Sequence, residues 1–227
     1  MKSTSATAPS PHAEPSPRTT SGWLSALEAT VVFTLIILYI WRLQRRVGAF
    51  WIVPLAIVIA SHVYRHESLA FLGFRVQRPG LAFRAWGPWV LALAVIIVAL
   101  GATLHTVRPG ATPLGALEIL AGYFVWGLFQ QYVLNGYFLN RIVQSLHGTR
   151  AAALAPLIAG AVFAAVHIPN RFLMAVTFVA GCLCAIAFLR YRNLWFLAAA
   201  HALIGSLLVL VTPPSIAHGF IVGPNMR

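Results

Sequence analysis

Apolar residues run along this chain in seven long blocks, each closed by a short polar or turn-forming cluster. The blocks are Trp23 to Trp41, Phe50 to Tyr64, 88–105, 113–140, 151–168, 172–189 and 194–212. A helix needs roughly 20 apolar residues to cross a bilayer, so each block predicts a membrane-spanning or nearly spanning helix. The closing clusters support these boundaries. Arg42, Arg45 and Arg46 end the first block, Arg65, His66 and Glu67 the second, and Arg141 the fourth. Pro109–Gly110, Ile168–Pro169–Asn170–Arg171 and Pro213–Pro214 read as turns. Between the second and third blocks, residues 68–86 alternate apolar side chains with Arg75, Arg78 and Arg84, broken by Pro79–Gly80, which predicts an interfacial amphipathic segment. Trp86 and Trp89 mark a membrane interface. Gly160 and Ala164 form a small-xxx-small pair that lets a second helix approach closely. Residues 1–22 combine four prolines with many Ser and Thr, the composition of a disordered tail without the charge and cleavage pattern of a signal peptide. The expected organisation is therefore a tail at 1–22, amino-terminal spans with their interfacial segment at 23–108, a core at 110–212 and a second tail at 213–227.

Composition fixes the class. Of the 227 residues 59% are hydrophobic and 9% charged, against about a quarter charged in soluble domains. The chain is read as an all-α, polytopic membrane helix bundle, multi-pass in the cell membrane, with lipid as its first partner. The net charge of +12 reflects few acids more than many bases: there is no Asp, and Glu14, Glu28, Glu67 and Glu118 are the only carboxylates. Arginines at helix ends facing anionic headgroups explain the charge, and no nucleic-acid partner is expected. Their distribution favours a cytoplasmic amino terminus. Glu28, near the start of the first block, is expected as an exposed interfacial carboxylate. Cys182 and Cys184, two apart on a helix, point to different faces and read as packing residues.

One block carries polarity in its interior. Gln130, Gln131 and Asn135 sit within the fourth, and an amide left without a partner in lipid costs a few kcal/mol. At 100° per residue Gln131 and Asn135 share a face, with Gln130 about 100° away. His167, at the end of the fifth block, and His201, inside the seventh, are the natural partners. Such residues often serve as glue between helices, worth about 0.6 kcal/mol on average. They are also the default candidates for a functional site. Two His without a carboxylate or third ligand make a poor zinc site, so neither metal nor cofactor is expected. His66–Glu67 does not open an H-E-x-x-H motif, because Ala70 stands where the second His belongs.

The order of these polar residues resembles the CPBP family of intramembrane proteases, also called the CAAX-protease or Abi family. The family pattern is EExxxR on one span, FxxxH on the next and HxxxN (or Asp) on a later one. Here the corresponding stretches are Gln130–Gln131–Tyr132–Val133–Leu134–Asn135, Phe163–Ala164–Ala165–Val166–His167 and His201–Ala202–Leu203–Ile204–Gly205. The resemblance implies an endopeptidase acting on peptide or lipidated protein substrates at the membrane. Gln130, Gln131, His167 and His201 would occupy the catalytic positions, with Asn135, Phe163, Asn170 and Gly205 in support. In the family a Glu assisted by His activates water, and the second His and the Asn or Asp stabilise the oxyanion. This chain has Gln at both Glu positions, Asn135 for the Arg and Gly205 for the last Asn. The carboxylates and the cation are replaced as a set, which avoids stranding a charge in lipid. An amide accepts no proton at neutral pH. A second reading is therefore a catalytically inactive scaffold or substrate-binding relative. A small transporter is a third, with no inverted repeat to support it.

Overall fold

The computed structural model describes residues 21–74, 80–107, 112–146 and 150–226. Among these the chain is all-α, with one isolated antiparallel bridge between Phe74 and Asn193. The helices are α1 (Gly22–Leu38, prolonged by a π turn at Tyr39–Leu43), α2 (Ile52–Tyr64), α3 (Gly80–Thr103) and α4 (Pro113–Gln131). α4 runs through a π-helical stretch, Tyr132–Leu139, into α5 (Asn140–Ser145). Then come α6 (Arg150–Ala165), α7 (Arg171–Tyr191), α8 (Leu194–Val211) and the single turn α9 (Pro214–Ala217).

Among the described residues four helices are long and apolar enough to cross a membrane: Gly22–Leu43, Gly80–Thr103, Arg171–Tyr191 and Leu194–Val211, with shorter apolar helices at Gly48–Tyr64 and Ala153–Ala165. Outward faces of these helices and of α4 are apolar too: Val125 on α4 is 70% exposed, Val95 and Val63 68% each, a surface that suits hydrocarbon and not water. α4 packs along α8, α6 along α7, α3 against α8 and α1 against α5. The α6–α7 crossing rests on glycine: a Cβ on Gly181 would lie 2.9 Å from the Cα of Gly160, and one on Gly160 2.7 Å from the Phe178 carbonyl. The expected small-residue contact at Gly160 is thus met by a second glycine.

Two expectations are corrected. The third span begins at Gly80, not 88, so Arg84 and Trp86 are helical and Pro88 lies within α3. The amphipathic alternation there was the first turns of that helix; Arg75, Arg78 and Pro79 lie outside the described residues, as do the expected tail up to residue 20 and the Pro109–Gly110 turn. The segment after Pro213, expected as a tail, folds back on the bundle: the Gly223 amide donates to the Ile168 carbonyl at 2.8 Å, and Arg45 bonds the side chain of Asn225.

The largest correction concerns charge. Glu28 is not a solvated interfacial carboxylate, and Arg141 does not cap a span in headgroups. Arg141 has no exposed surface. Its guanidinium donates to Glu67 (2.7 and 3.0 Å), to Glu28 (3.0 Å) and to Ser61 (2.8 Å). Arg65, also buried, pairs with Glu28 and donates to Gln144 at 3.0 Å. Glu67 additionally accepts from the Nδ1–H of His62 and the amide of Gln144. Two carboxylates and two guanidiniums thus balance in one cluster that joins α1, α2, the loop after α2 and α5. The π stretch helps to close it. Five residues per hydrogen-bonded ring place Tyr132 and Tyr137 one above the other, and both rings lie 5.7 Å from that of His62. Arg192 fastens the same loop from the far side, donating to the Phe71 carbonyl (3.0 Å) and to Asn140 (2.6 Å).

Removing one member leaves the others buried and uncompensated, which costs about 3–5 kcal/mol. Arg141→Met is expected to lower stability by about that amount, and adding Glu67→Gln to recover part of it, both read from thermal unfolding in detergent. Burial pushes the Glu67 carboxyl up, but the His62 hydrogen bond and Arg141 outweigh it and hold the group down to about 2, from an ordinary 4.5. The stabilisation is therefore complete above pH 4.5 and is lost as pH falls towards 2. An acid titration of the melting temperature should show this loss, and Glu67→Gln should flatten it.

Candidate functional site on α4, α6 and α8

α4 begins at a Thr112 cap, whose hydroxyl oxygen accepts from the Gly115 amide at 3.1 Å, with Pro113 in the first turn. From there Tyr123, Gly127 and Gln131 follow at four-residue spacing and form one stripe. The stripe faces α8. At its middle, Gly127 receives His201: a Cβ there would stand 2.8 Å from Cδ2 of the imidazole and 3.0 Å from Cγ. One turn earlier, the Tyr123 ring stacks on His201, with centroids 6.3 Å apart and planes 27° apart. One turn later, Gln131 is buried at 1% exposure. Its carbonyl oxygen accepts from the Asn135 amide at 2.6 Å, and its side chain meets the Cys184 thiol from α7. The same-face pairing expected of Gln131 and Asn135 is present, at the entry to the π stretch. Gln130, half-buried on the adjacent face, makes no hydrogen bond to the described residues.

His167 lies just beyond α6. Its Nδ1 is 2.7 Å from the Phe163 carbonyl, and the two rings meet edge to face at 5.2 Å. A carbonyl only accepts, so Nδ1 carries the proton and Nε2 keeps its lone pair. Gln131 and Asn135 are thus paired with each other, His201 lies against α4 one turn before Gln131, and His167 is held by Phe163 at the end of α6.

The remaining supporting positions have distinct roles. Phe163 holds His167 through its carbonyl and its ring. Asn170 is fully buried and caps α7, accepting from the Leu173 amide at 3.1 Å. Its own amide donates to the carbonyls of Ala217 (2.9 Å) and Ile221 (3.2 Å). Asn170 therefore ties the carboxy-terminal segment to the bundle. Gly205 makes room for Tyr123, with a Cβ there falling 2.7 Å from the ring. Sequence reasoning missed Tyr123, Gly127 and Cys184. The four-residue stripe was visible, but nothing in it showed which helix it would face.

The described carboxylates are committed or distant. Both oxygens of Glu28 and of Glu67 are held in the cluster around Arg141. Glu118 is exposed near the start of α4, roughly 18 Å along the helix from Gln130. No three His, Cys, Asp or Glu side chains converge among the described residues.

Residues 111–207 match the Rce1-like family, described as Type II CAAX prenyl endopeptidase Rce1-like. The match spans all three motifs, from α4 to α8. Over this segment the chain is similar to the CPBP family of intramembrane proteases, with Gln-Gln where the family pattern has Glu-Glu. No curated protein and no solved structure matches the chain.

Asn170→Ala is expected to cost about 1–2 kcal/mol through loss of the cap and of a buried hydrogen bond. Limited proteolysis should then cut within 213–226 faster than in the wild type. An unchanged cleavage rate and melting temperature would show that Asn170 does not anchor this segment.

Proposed function

We propose that this membrane protein binds a peptide or lipidated polypeptide segment beside α4, α6 and α8, and does not hydrolyse it by the glutamate mechanism of its relatives. The family description supplies the ligand class, a prenylated protein terminus handled at the membrane. One observation carries the rest. The paired-carboxylate position is held by two amides, and the carbonyl oxygen of the inner one, Gln131, is occupied by Asn135 at 2.6 Å. Amide oxygens take no proton at neutral pH. Imidazoles and carboxamides remain, and these are good hydrogen-bonding partners for a peptide backbone in a water-poor setting. The bundle's apolar flanks suit a lipid chain. A multi-pass location in the cell membrane with a cytoplasmic amino terminus belongs to the same proposal.

A second reading is favoured by His167. The Phe163 carbonyl fixes its tautomer and leaves the lone pair of Nε2 to act as a base. The amides and His201 would then donate to the oxyanion.

The two readings separate on purified full-length protein in nanodiscs, with prenylated and unprenylated peptides. Binding is followed by fluorescence anisotropy and cleavage by mass spectrometry. The wild type should bind the prenylated peptide without cleaving it. The double substitution Gln130→Glu, Gln131→Glu should gain hydrolysis by about 100-fold or more over background, the lower range of general acid–base effects. Wild-type turnover that His167→Ala abolishes would overturn the binding-only reading in favour of the second.

A further inference from the structure

The end of α1 and the carboxy-terminal segment meet at a basic corner of the molecule. α1 closes in the π turn Tyr39–Leu43, and the turn that follows carries Arg45 and Arg46 close behind Arg42. Residues three and four apart share a helix face, so these guanidiniums crowd one side and repel each other. All three are exposed. Arg42 and Arg46 make no hydrogen bond or ion pair among the described residues, and the inner carboxylates, Glu28 and Glu67, are held around Arg141. Arg45 differs: it donates to the side-chain oxygen of Asn225, 180 residues further on. The carboxy-terminal segment is fastened at this point by contacts of its own. The Gly223 amide donates to the Ile168 carbonyl at 2.8 Å, and a Cβ on Gly223 would lie 2.8 Å from Cγ2 of Ile40. Between the two pieces lies a small, open-sided cavity lined by Trp41, Arg42, Gln44, Arg45, Pro224 and Asn225. Trp41 is exposed, as is Trp51 on the neighbouring turn, and tryptophans settle at headgroup depth in a bilayer.

We propose that this corner binds the phosphate of an anionic phospholipid headgroup, with Arg42 and Arg45 as donors and Asn225 as the residue that positions Arg45. A guanidinium presents its N–H groups in a planar fork that matches two phosphate oxygens at once. One fork is held in place by Asn225, and the other stands three residues away without a described partner. An anion bridging them relieves their mutual repulsion. Preorganising Arg45 reduces the freedom lost when the anion binds. Lipid is the source of the phosphate because the arginines stand at the end of a spanning helix. Leu38, four residues before Arg42, is exposed, and so is Val31, seven before Leu38. These positions share a helix face, so acyl chains below a bound headgroup have an apolar track to follow. Cations at a helix end also gain from the helix dipole, yet none of the three arginines donates to a carbonyl of α1 among the described residues. Arginines that simply lie among headgroups would have no use for Asn225. The corner shares no element with the proposed peptide site on α4, α6 and α8, so the two proposals stand or fall separately.

The test uses purified full-length protein in detergent micelles. Phosphatidylglycerol or phosphatidylcholine with matched acyl chains is added, bound lipid is measured by native mass spectrometry, and the melting temperature is followed in parallel. The wild type should hold phosphatidylglycerol about 10-fold or more tighter than phosphatidylcholine, as two arginines at an anionic group allow. Arg42→Gln and Arg45→Gln should each weaken that binding by about 5-fold, the share of one arginine. Asn225→Ala changes no charge and should still weaken it by about 3-fold, because Arg45 is no longer preset. Arg84→Gln, which removes an exposed arginine from α3, should stay within about 2-fold of wild type. Inorganic phosphate should not displace the lipid. Equal binding of the two lipids overturns the proposal. So does an Arg84→Gln loss as large as that of Arg42→Gln, the mark of diffuse charge, or a folded Asn225→Ala protein with unchanged affinity. Displacement by inorganic phosphate at the same concentration as lipid also overturns it, in favour of a free-anion site. If Asn225→Ala fails to fold, Arg42→Gln against Arg84→Gln decides, since Arg42 has no described partner to lose.

Discussion

A guanidinium with no exposed surface sets the terms for this bundle. Arg141 sits in a chain with only four carboxylates, and two of them, Glu28 and Glu67, turn inward to meet it. An ion moved from water to a low-dielectric interior loses several kcal/mol even after relaxation. The arrangement therefore holds only if each charged group is paired and hydrogen-bonded. Ser61, His62 and Gln144 complete that set, with Arg65 as the second cation. Their contributions come from α1, α2, the loop after α2 and α5, so these elements cannot shift independently. Lipid supplies no hydrophobic force between helices. In this half of the molecule, charge matching provides registration that apolar packing alone would leave loose.

The opposite policy governs the other half. Ten residues before Arg141 on the same continuous helix, Gln131 meets Asn135 and Cys184, all neutral groups. The π stretch lies between the two regimes and turns the helix so that the amide pair and the ion pairs are served by different neighbours. Two glutamates retained at 130 and 131 would have required a cation nearby, and the only described buried arginines are already committed. Replacing carboxylates and cation together keeps the site electrically silent. An amide oxygen accepts hydrogen bonds but takes no proton at neutral pH, which is the ground for proposing binding over carboxylate catalysis.

Much of this was legible in the residues. Block lengths and closing clusters located most of the helices to within a few residues, the early start of α3 at Gly80 excepted, because lipid imposes a length and excludes polar groups from the middle of a span. Gln131 and Asn135 were placed on one face by helical period alone. The misses have one physical origin: local pattern does not encode which helix faces which. Glu28 and Arg141 each looked like an ordinary charge at a helix end, since the sequence gives no sign that α1 and α5 lie side by side. The arginines credited to headgroups included Arg65, Arg141 and Arg192, all spent on internal partners. A count of basic residues per side therefore overstates the charge that the membrane surface meets. Arg84 read as interfacial because amphipathic alternation across Pro79–Gly80 mimics the first turns of the helix that starts there.

Glycine decides what the site can be. At Gly127 and Gly205 the two helices come close enough for a ring from each to rest on the backbone of the other, and the chain forgoes a side chain at both points. At 205 the choice is a trade. A polar side chain there would bring a hydrogen-bonding group beside His201, but it would stand where the ring of Tyr123 now lies. The chain has the ring. Together with the neutral pair at 130 and 131, this sets an aromatic ring and amides, with no carboxylate, around His201. Both features act in the same direction: they fit the proposed binding of a partly apolar segment better than its hydrolysis by a carboxylate base.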